Sequence, residues 1–442
     1  MSVFIGYPSF MAYQMMKGKK GNNDGFPSIP GMIARYSALG LTNEQMATNP
    51  VWVDKTGNGH DLQLKNFAWK EGSGISDVYL GALVFDGVDD YGTCNNFPIL
   101  TKEKGYTVVA LRQWIEEKNS ITALVSNSKN WNQDGAFVFE YNNLENNYPN
   151  LEISFGSNTG LGREKSSLTY QTSKLYNGKE IKFGEFLGSD RLTVAKANEN
   201  LSSNSNVAIW ELVFLDHDAT EEELTKIKDY FVKTYPWLFP DQAWTVVGKT
   251  NEDKDRATIT NITGNGNDLV LSNFGFIEGS GYNEEGEYAG YLVTDGVDDK
   301  IQSSNFPMGK DFTVVGEWKM LKNSDTYELA GINKYDSFIL YNYSYNNRNR
   351  INVYIHSGQG TPINTDSIKA FTSTGLIYID NFNNVEEVIP RDKTDRGYTL
   401  FIGYNNNVFT KLAFKNLAIY SEVLSKEDCI KAYNYLQTLK AK

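Results

Sequence analysis

The chain has 442 residues and a formal net charge of −12, with 27 tyrosines, 38 glycines, three histidines and two cysteines. The acidic balance argues against nucleic acid or an anionic membrane as partner, because phosphate binding needs a basic face, and no run approaches the roughly 18 apolar residues of a membrane-inserted helix. Two cysteines, one in each half, give no disulfide framework, and Cys94 and Cys429 read as packed thiols.

Residues 1–47 form an N-terminal arm. Phe4, Tyr7, Phe10, Met11, Tyr13, Met15 and Met16 make it apolar and aromatic, and a Lys/Gly/Asn/Pro-rich joint runs on to Pro30. Two readings stand: a segment packed on the first domain, or an anchor that docks into a larger assembly. Lys17, Lys19 and Lys20 follow the apolar part, the reverse of a secretory signal. The expectation is a chain that folds where it is made and reaches the outside by lysis or an unusual export route.

From Trp52 onward the chain is written twice. Thr56-Gly-Asn-Gly-His-Asp-Leu-Gln-Leu-Lys-Asn-Phe67 returns as Thr263-Gly-Asn-Gly-Asn-Asp-Leu-Val-Leu-Ser-Asn-Phe274, a Gly/Asn turn feeding a short alternating strand. Glu71-Gly-Ser-Gly74 returns as Glu278-Gly-Ser-Gly281, Asp86-Gly-Val-Asp-Asp90 as Asp295-Gly-Val-Asp-Asp299, and Asn96-Phe-Pro98 as Asn305-Phe-Pro307. Thr107-Val-Val109 matches Thr313-Val-Val315, and the offset stays between 206 and 209 residues throughout. That is one domain duplicated, with predicted bounds 48–240 and 241–442.

In the first copy strands are predicted over 79–85, 106–114, 136–141, 151–155, 191–195 and 207–215. In the second they are predicted over 290–294, 312–320, 337–343, 351–356, 376–380, 398–404 and 411–420. Short strands between turn signals suit an all-β sandwich or jelly roll. A helix closes each copy. Thr220-Glu-Glu-Glu223 is a capping box ahead of a Leu224, Ile227, Phe231 stripe. Ser425-Lys-Glu-Asp428 is its variant, with Leu424 placed to staple on Cys429 and a stripe of Ile430, Tyr433 and Leu436 or Tyr435.

The Asp-Gly-Val-Asp-Asp clusters are the candidate metal ligands. Asp86, Asp89, Asp90 and Asp295, Asp298, Asp299 each place three carboxylates within five residues, and calcium takes six to eight oxygens. Their other reading is a turn at Asp86-Gly87 (Asp295-Gly296), with Asp89 and Asp90 capping loop amides. Sugar-binding chemistry, stacking on an aromatic face plus amide and carboxylate hydrogen bonds, points to two loops. These are Trp131, Asn132 and Asp134 in the first copy, and Tyr341, Tyr343, Tyr345 and Asn346 in the second. A hydrolase is not expected. The Glu-x-Asp-x-x-Glu spacing is absent, and Glu211 and Asp216 fall too far apart and on opposite strand faces. His60, His217 and His356 belong to no nucleophile elbow.

The strand-plus-capped-helix ending, Leu417-Ala-Ile-Tyr420 and Leu424-Ser-Lys-Glu-Asp428, resembles that of laminin G-like, concanavalin A-like sandwich domains. Phe85-Asp-Gly-Val-Asp-Asp-Tyr91 resembles an edge motif common in that superfamily. The phrase Thr42-Asn-Glu through Asn49-Pro-Val-Trp52 to Asn66-Phe67 is similar to proteins carried by tailed phages and prophages of gut bacteria. The resemblance spans about nine-tenths of the chain and specifies the fold far better than the activity, since one fold hosts many functions. It implies two tandem concanavalin A-like jelly-roll sandwiches, each closed by a short C-terminal helix, with calcium at a sandwich rim as in related domains. It further implies a virion protein of head or tail-fibre type, made in the host cytoplasm and exposed after lysis. Such a protein would present two lectin-like domains to bacterial surface polysaccharide and dock on other virion proteins through the arm. With neither heptads nor β-helix repeats, any homo-oligomer would form through the arm or the domain faces. The alternatives are an inert virion decoration protein and a polysaccharide-degrading enzyme.

Overall fold

The computed structural model describes residues 24–100, 104–116, 122–127, 138–139, 167–180, 189–197, 204–321, 331–334, 338–345, 348–355, 361–363, 368–379, 381–387, 399–405 and 408–441. These fall into two compact units. One runs to Phe231, apart from Val78–Leu80, and the other starts at Val232. Each holds two large antiparallel sheets, and the second adds a two-stranded ribbon of Tyr404–Asn405 and Val408–Phe409, so the chain is all-β with tandem sandwiches.

The first sheet of the first unit orders its strands Lys179–Glu180, Leu175–Tyr176, Leu168–Thr172, Thr107–Glu116, Asn206–Leu215, Leu83–Asp86 and Gly74–Ile75. Met32–Ser37 also pairs with Asn206–Leu215. The second sheet orders Val51–Trp52, Leu62–Lys65, Tyr91–Cys94, Leu192–Val194, Val125–Ser126 and Val138–Phe139. Leu62–Lys65 alternates buried and exposed, as a strand with one wet face must. Asn206–Leu215 is buried almost throughout, an apolar strand interrupted at Glu211. Tyr36, Trp52, Leu62, Phe85, Phe97, Ile209 and Phe214 lie in the core between the sheets. Met32–Ser37, read from sequence with the arm, thus adds Ala34 and Tyr36 to this core. Helix α1, Asn43–Thr48, follows with Thr42 as its cap.

The second unit repeats the plan. Gly281–Asn283, Tyr291–Val293, Leu412–Tyr420, Thr313–Met320, Ile368–Thr372, Leu376–Ile379 and Asn384–Glu387 form one sheet, and Gln242–Thr245 takes the place of Met32–Ser37. The other sheet runs Thr258–Ile259, Leu269–Ser272, Lys300–Asn305, Thr399–Ile402, Gly331–Lys334, Phe338–Tyr345, Arg348–Ile355 and Thr361–Ile363. Both copies keep a bulge at one place in the long central strand, with Trp210 and Lys415 as the extra residues.

Helices α2, Glu221–Thr234, and α3, Lys426–Thr438, close the units through the predicted caps. Thr220 and Glu223 bond each other's backbone amides, and the Ser425 hydroxyl accepts from the Asp428 amide at 3.1 Å. The buried stripe of α3 is Cys429, Ala432, Tyr435 and Leu436; Tyr435 and Leu436 are as predicted, whereas Ile430 and Tyr433 are only half-buried, the Tyr433 hydroxyl reaching Glu317. Both cysteines are free and buried.

The first unit has an ion pair that the second lacks. Arg35 and Glu211 are fully buried and joined by two bonds of 3.1 Å, while the Arg35 Nη1 donates to Asp24 at 2.6 Å and its guanidinium lies 4.0 Å above the Phe26 ring. Register places Ala243 and Asn416 at these positions in the second unit.

Candidate functional site

The duplicated Asn-Phe, Glu-Gly-Ser-Gly and Asp-Gly-Val-Asp-Asp motifs prove to be one connected corner in each unit, the Thr-Gly-Asn-Gly turn is tied instead to the strand before the repeat, and most of these residues work on the backbone. In Thr56-Gly-Asn-Gly59 the glycines take φ 78° and 84°, which a β-carbon would oppose. The turn then delivers Asn58, whose amide donates to the carbonyls of Met32 and Ile33 at 3.1 and 2.8 Å. Asn265 does the same to Asp241 at 2.8 Å. Asp54 accepts from the amides of Arg35 and Thr56, as Asn261 does from Ala243 and Thr263. The motif therefore clamps the strand that precedes each repeat.

Glu71-Gly-Ser-Gly74 is a tight hairpin closed by reciprocal bonds between Lys70 and Ser73, matched by Ile277 and Ser280. Its last glycine admits the Asn43 side chain, which bonds both backbone groups of Ile75 at 2.7 Å. A β-carbon on Gly74 would lie 2.3 Å from Asn43 Oδ1, and one on Gly281 would lie 2.5 Å from Asn251 Oδ1.

In Asp86-Gly-Val-Asp-Asp90 the Asp86 Oδ1 accepts from the amides of Val88, Asp89 and Asp90 at 2.7, 3.2 and 3.4 Å, and Asp90 Oδ2 accepts from the Asp86 amide. Asp295 and Asp299 repeat every one of these bonds. This is a turn-capping arrangement in which Asp86, with Asp90 and not Asp89, makes the caps. The three carboxylates of each cluster still bring oxygens within 4.8 Å of one another, so they are the residues that could hold calcium. Burial pushes the Asp90 carboxyl up to about 7 and that of Asp299 up to about 6. Asp299 Oδ1 takes the Ser280 hydroxyl at 3.1 Å. Ser73 lies close enough to Asp90 to favour its charged form, but Asp90 Oδ1 has no donor at hydrogen-bond geometry.

Between these motifs lies a feature that the sequence reading passed over. Trp69 sits at φ 52° and its counterpart Phe276 at φ 51°, left-handed backbone that bulky side chains avoid. Each ring is half-buried. Trp69 stacks on Phe67 at 4.8 Å and 18°, and Phe276 lies 6.0 Å from Phe274 with Arg256 4.9 Å above it. Asn66, also left-handed, ties the loop to the aspartate turn through the Asp89 carbonyl, as Asn273 does through that of Asp298. Asp89 and Asp298 themselves are exposed. The available signal was an aromatic residue at the same place in both copies, between Asn-Phe and Glu-Gly-Ser-Gly.

Of the residues picked for sugar binding, Trp131, Asn132, Asp134 and Asn346 lie outside the described residues. Tyr341, Tyr343 and Tyr345 lie in the strand Phe338–Tyr345, opposite Asn352, Arg350 and Arg348. Glu211 is spent in its buried ion pair. His60 packs edge-on to Phe97, His217 bonds Asp216 and Glu223, and His356 lies outside the described residues.

The fold and corner define a class: tandem β-sandwiches with a repeated aromatic-and-carboxylate turn. No protein-family model and no curated protein sequence matches the chain. Among solved structures it is similar to a Trypanosoma rangeli sialidase in complex with sialic acid, at 12% identity and TM-score 0.30, over 61% of this chain and 48% of the sialidase. It is similar to domain 4 of AbnA, a GH43 extracellular arabinanase from Geobacillus stearothermophilus, in complex with arabinotriose, at 13% identity and TM-score 0.31, over 44% of this chain and all of that domain. The binding domain of botulinum neurotoxin DC in complex with SialylT matches at 9% identity and TM-score 0.32, over 88% of this chain and 98% of that one. The chain spans about half the length of the sialidases it matches. Such distant matches carry over no residue, ligand or activity. They do correct one expectation: with a sialidase and an arabinanase domain among them, the missing Glu-x-Asp-x-x-Glu spacing is no ground for calling the chain a non-enzyme.

Proposed function

We propose that this chain binds carbohydrate, each sandwich offering one aromatic-and-carboxylate corner to a sugar ring. The supporting observation is the pair Trp69 and Phe276, both held half-exposed in left-handed backbone. That conformation costs roughly 1–2 kcal/mol per residue, and such strain gathers at binding sites. A ring so held can stack on the apolar face of a sugar, while the exposed carboxylates of Asp89 and Asp298 accept from its hydroxyls. The finer placement is a phage particle, with the two corners turned to bacterial surface polysaccharide and the N-terminal arm docked on other virion proteins. Its support is the sequence resemblance. Saccharide hydrolysis is the second reading, favoured by the enzymes among the matched structures.

Titration calorimetry of the whole chain against extracted bacterial capsule tests the proposal, with sialic acid and arabinotriose as small probes. Saturable binding should weaken in Trp69→Ala and again in Phe276→Ala, each losing about 1 kcal/mol or roughly fivefold. Wild-type chain that binds none of these saccharides would sink it. Release of reducing ends during the titration would favour the second reading.

A further inference from the structure

Outside the repeated corner, the second unit carries a polar cluster for which the first has no equivalent. Glu317 lies half-buried in the strand Thr313–Met320. Its Oε1 accepts from the Tyr291 hydroxyl at 2.6 Å and its Oε2 from the Tyr433 hydroxyl of α3 at 3.0 Å. Lys415 Nζ stands 3.6 Å from the same Oε2. Three ammonium groups ring the site over tyrosine faces: Lys319 5.4 Å from Tyr288 and 5.3 Å from Tyr291, Lys415 5.7 Å from Tyr291, and Lys369 5.0 Å from Tyr433. Burial works against charge on Glu317, but the tyrosine hydroxyls and the lysines outweigh it and hold the carboxyl below its ordinary range. Burial and the same carboxylate push both phenols up, so they remain donors.

The duplication supplies an internal control. Register and the shared bulge align Glu317 with Leu111, Tyr291 with Ala82, Lys415 with Trp210 and Lys319 with Gln113. The first unit builds the same sheet with mainly apolar residues at these positions, so the scaffold does not require the cluster. Lys319 and Lys415 bring two ammonium groups to the Tyr291 ring. Among the described residues Lys319 meets no carboxylate at ion-pair distance.

We propose that this face of the second unit binds a carboxylate-bearing sugar, with Lys319 and Lys415 on the carboxylate and the half-buried Tyr288 ring against the sugar. The inference rests on the carbohydrate-binding reading above and names the saccharide class, acidic. Glu317 is a positioning residue that fixes both phenols and draws Lys415 inward. The opposite charge across the contact sets both preference and salt dependence.

The test is affinity electrophoresis of the full chain in gels containing polygalacturonate or, separately, neutral dextran, at two salt concentrations. Polygalacturonate should retard the chain, less so at high salt. A Lys319→Ala, Lys415→Ala double variant should bind it about tenfold more weakly, with retardation by dextran unchanged. Unchanged polygalacturonate binding in the double variant, or equal binding of the two polymers by wild type, would overturn the inference. Should the double variant melt early, Lys319→Gln, which installs the first unit's residue, carries the comparison alone. A chain that binds capsule or dextran without preferring acid leaves the carbohydrate reading standing and this inference lost. A chain that binds no saccharide loses both.

Discussion

At Asp90 a carboxyl group with no exposed surface bonds the Asp86 amide through one oxygen and finds no donor of good geometry for the other. Burial pushes it up to about 7, against an ordinary 3.8. In the folded chain the proton is therefore held through a window, about pH 4 to 7, in which the unfolded chain has released it. Stability must fall as pH rises through that window and level off above it. Asp90→Asn keeps the acceptor for the Asp86 amide and removes the charge. It should flatten the pH dependence of urea midpoints and raise the midpoint at pH 8 relative to wild type. Calcium would reverse the comparison: if added calcium raises the wild-type midpoint at pH 8 and leaves Asp90→Asn unmoved, the cluster is a cation site as well as a turn cap.

Among the elements, the strand Met32–Ser37 is fastened in a way its counterpart Gln242–Thr245 is not. Arg35→Ala would leave Glu211 buried without its partner, at a cost of about 3–5 kcal/mol. Adding Glu211→Asn, so that the pair becomes the Ala243 and Asn416 of the second unit, should recover about 1–3 kcal/mol of that loss in denaturant unfolding. Equal and additive losses would mean that Arg35 matters through Asp24 and Phe26, not through Glu211. This strand also marks a limit of reading from sequence. The largely apolar strands Thr107–Glu116 and Asn206–Leu215 and the caps of both closing helices were legible, because their signals are local. Met32–Ser37 precedes the repeated block and looked like arm, since its partner strand is nearly two hundred residues away. In α3 the predicted Tyr433 is only half-buried for a similar reason: its hydroxyl bonds Glu317, 116 residues earlier.

Across the whole chain the duplication was plain because the repeated residues bond one another within each unit. What they do was only partly legible. The Asp-Gly-Val-Asp-Asp turn was legible as a turn, though Asp86 and not Asp89 proves its main cap, whereas the use of Asn43 and Asn251 as backbone partners needed the fold to bring them to Ile75 and Tyr282. The aromatic residues at 69 and 276 escaped notice because backbone strain leaves no composition signal. Divergence is as informative as repetition. Lys196 lies over Tyr91 in one unit, and in the other Lys300 lies under Tyr404, the same cation–π contact with its two residues exchanged between strands.

The clamp formed by Asn58 and Asn265 also sets how the protein ages. Each asparagine is exposed and precedes a glycine, where the unhindered backbone nitrogen most readily attacks the side-chain amide to give a cyclic imide, and asparagine is among the thermally labile residues. Hydrolysis of that imide leaves aspartate or isoaspartate, an acceptor facing the carbonyls of Met32, Ile33 and Asp241 where a donor had been. Peptide mapping after storage at mildly alkaline pH should find isoaspartate at 58 and 265 rising together with a fall in melting temperature. Isoaspartate at both sites with an unchanged melting temperature would show that the strands hold without their clamps.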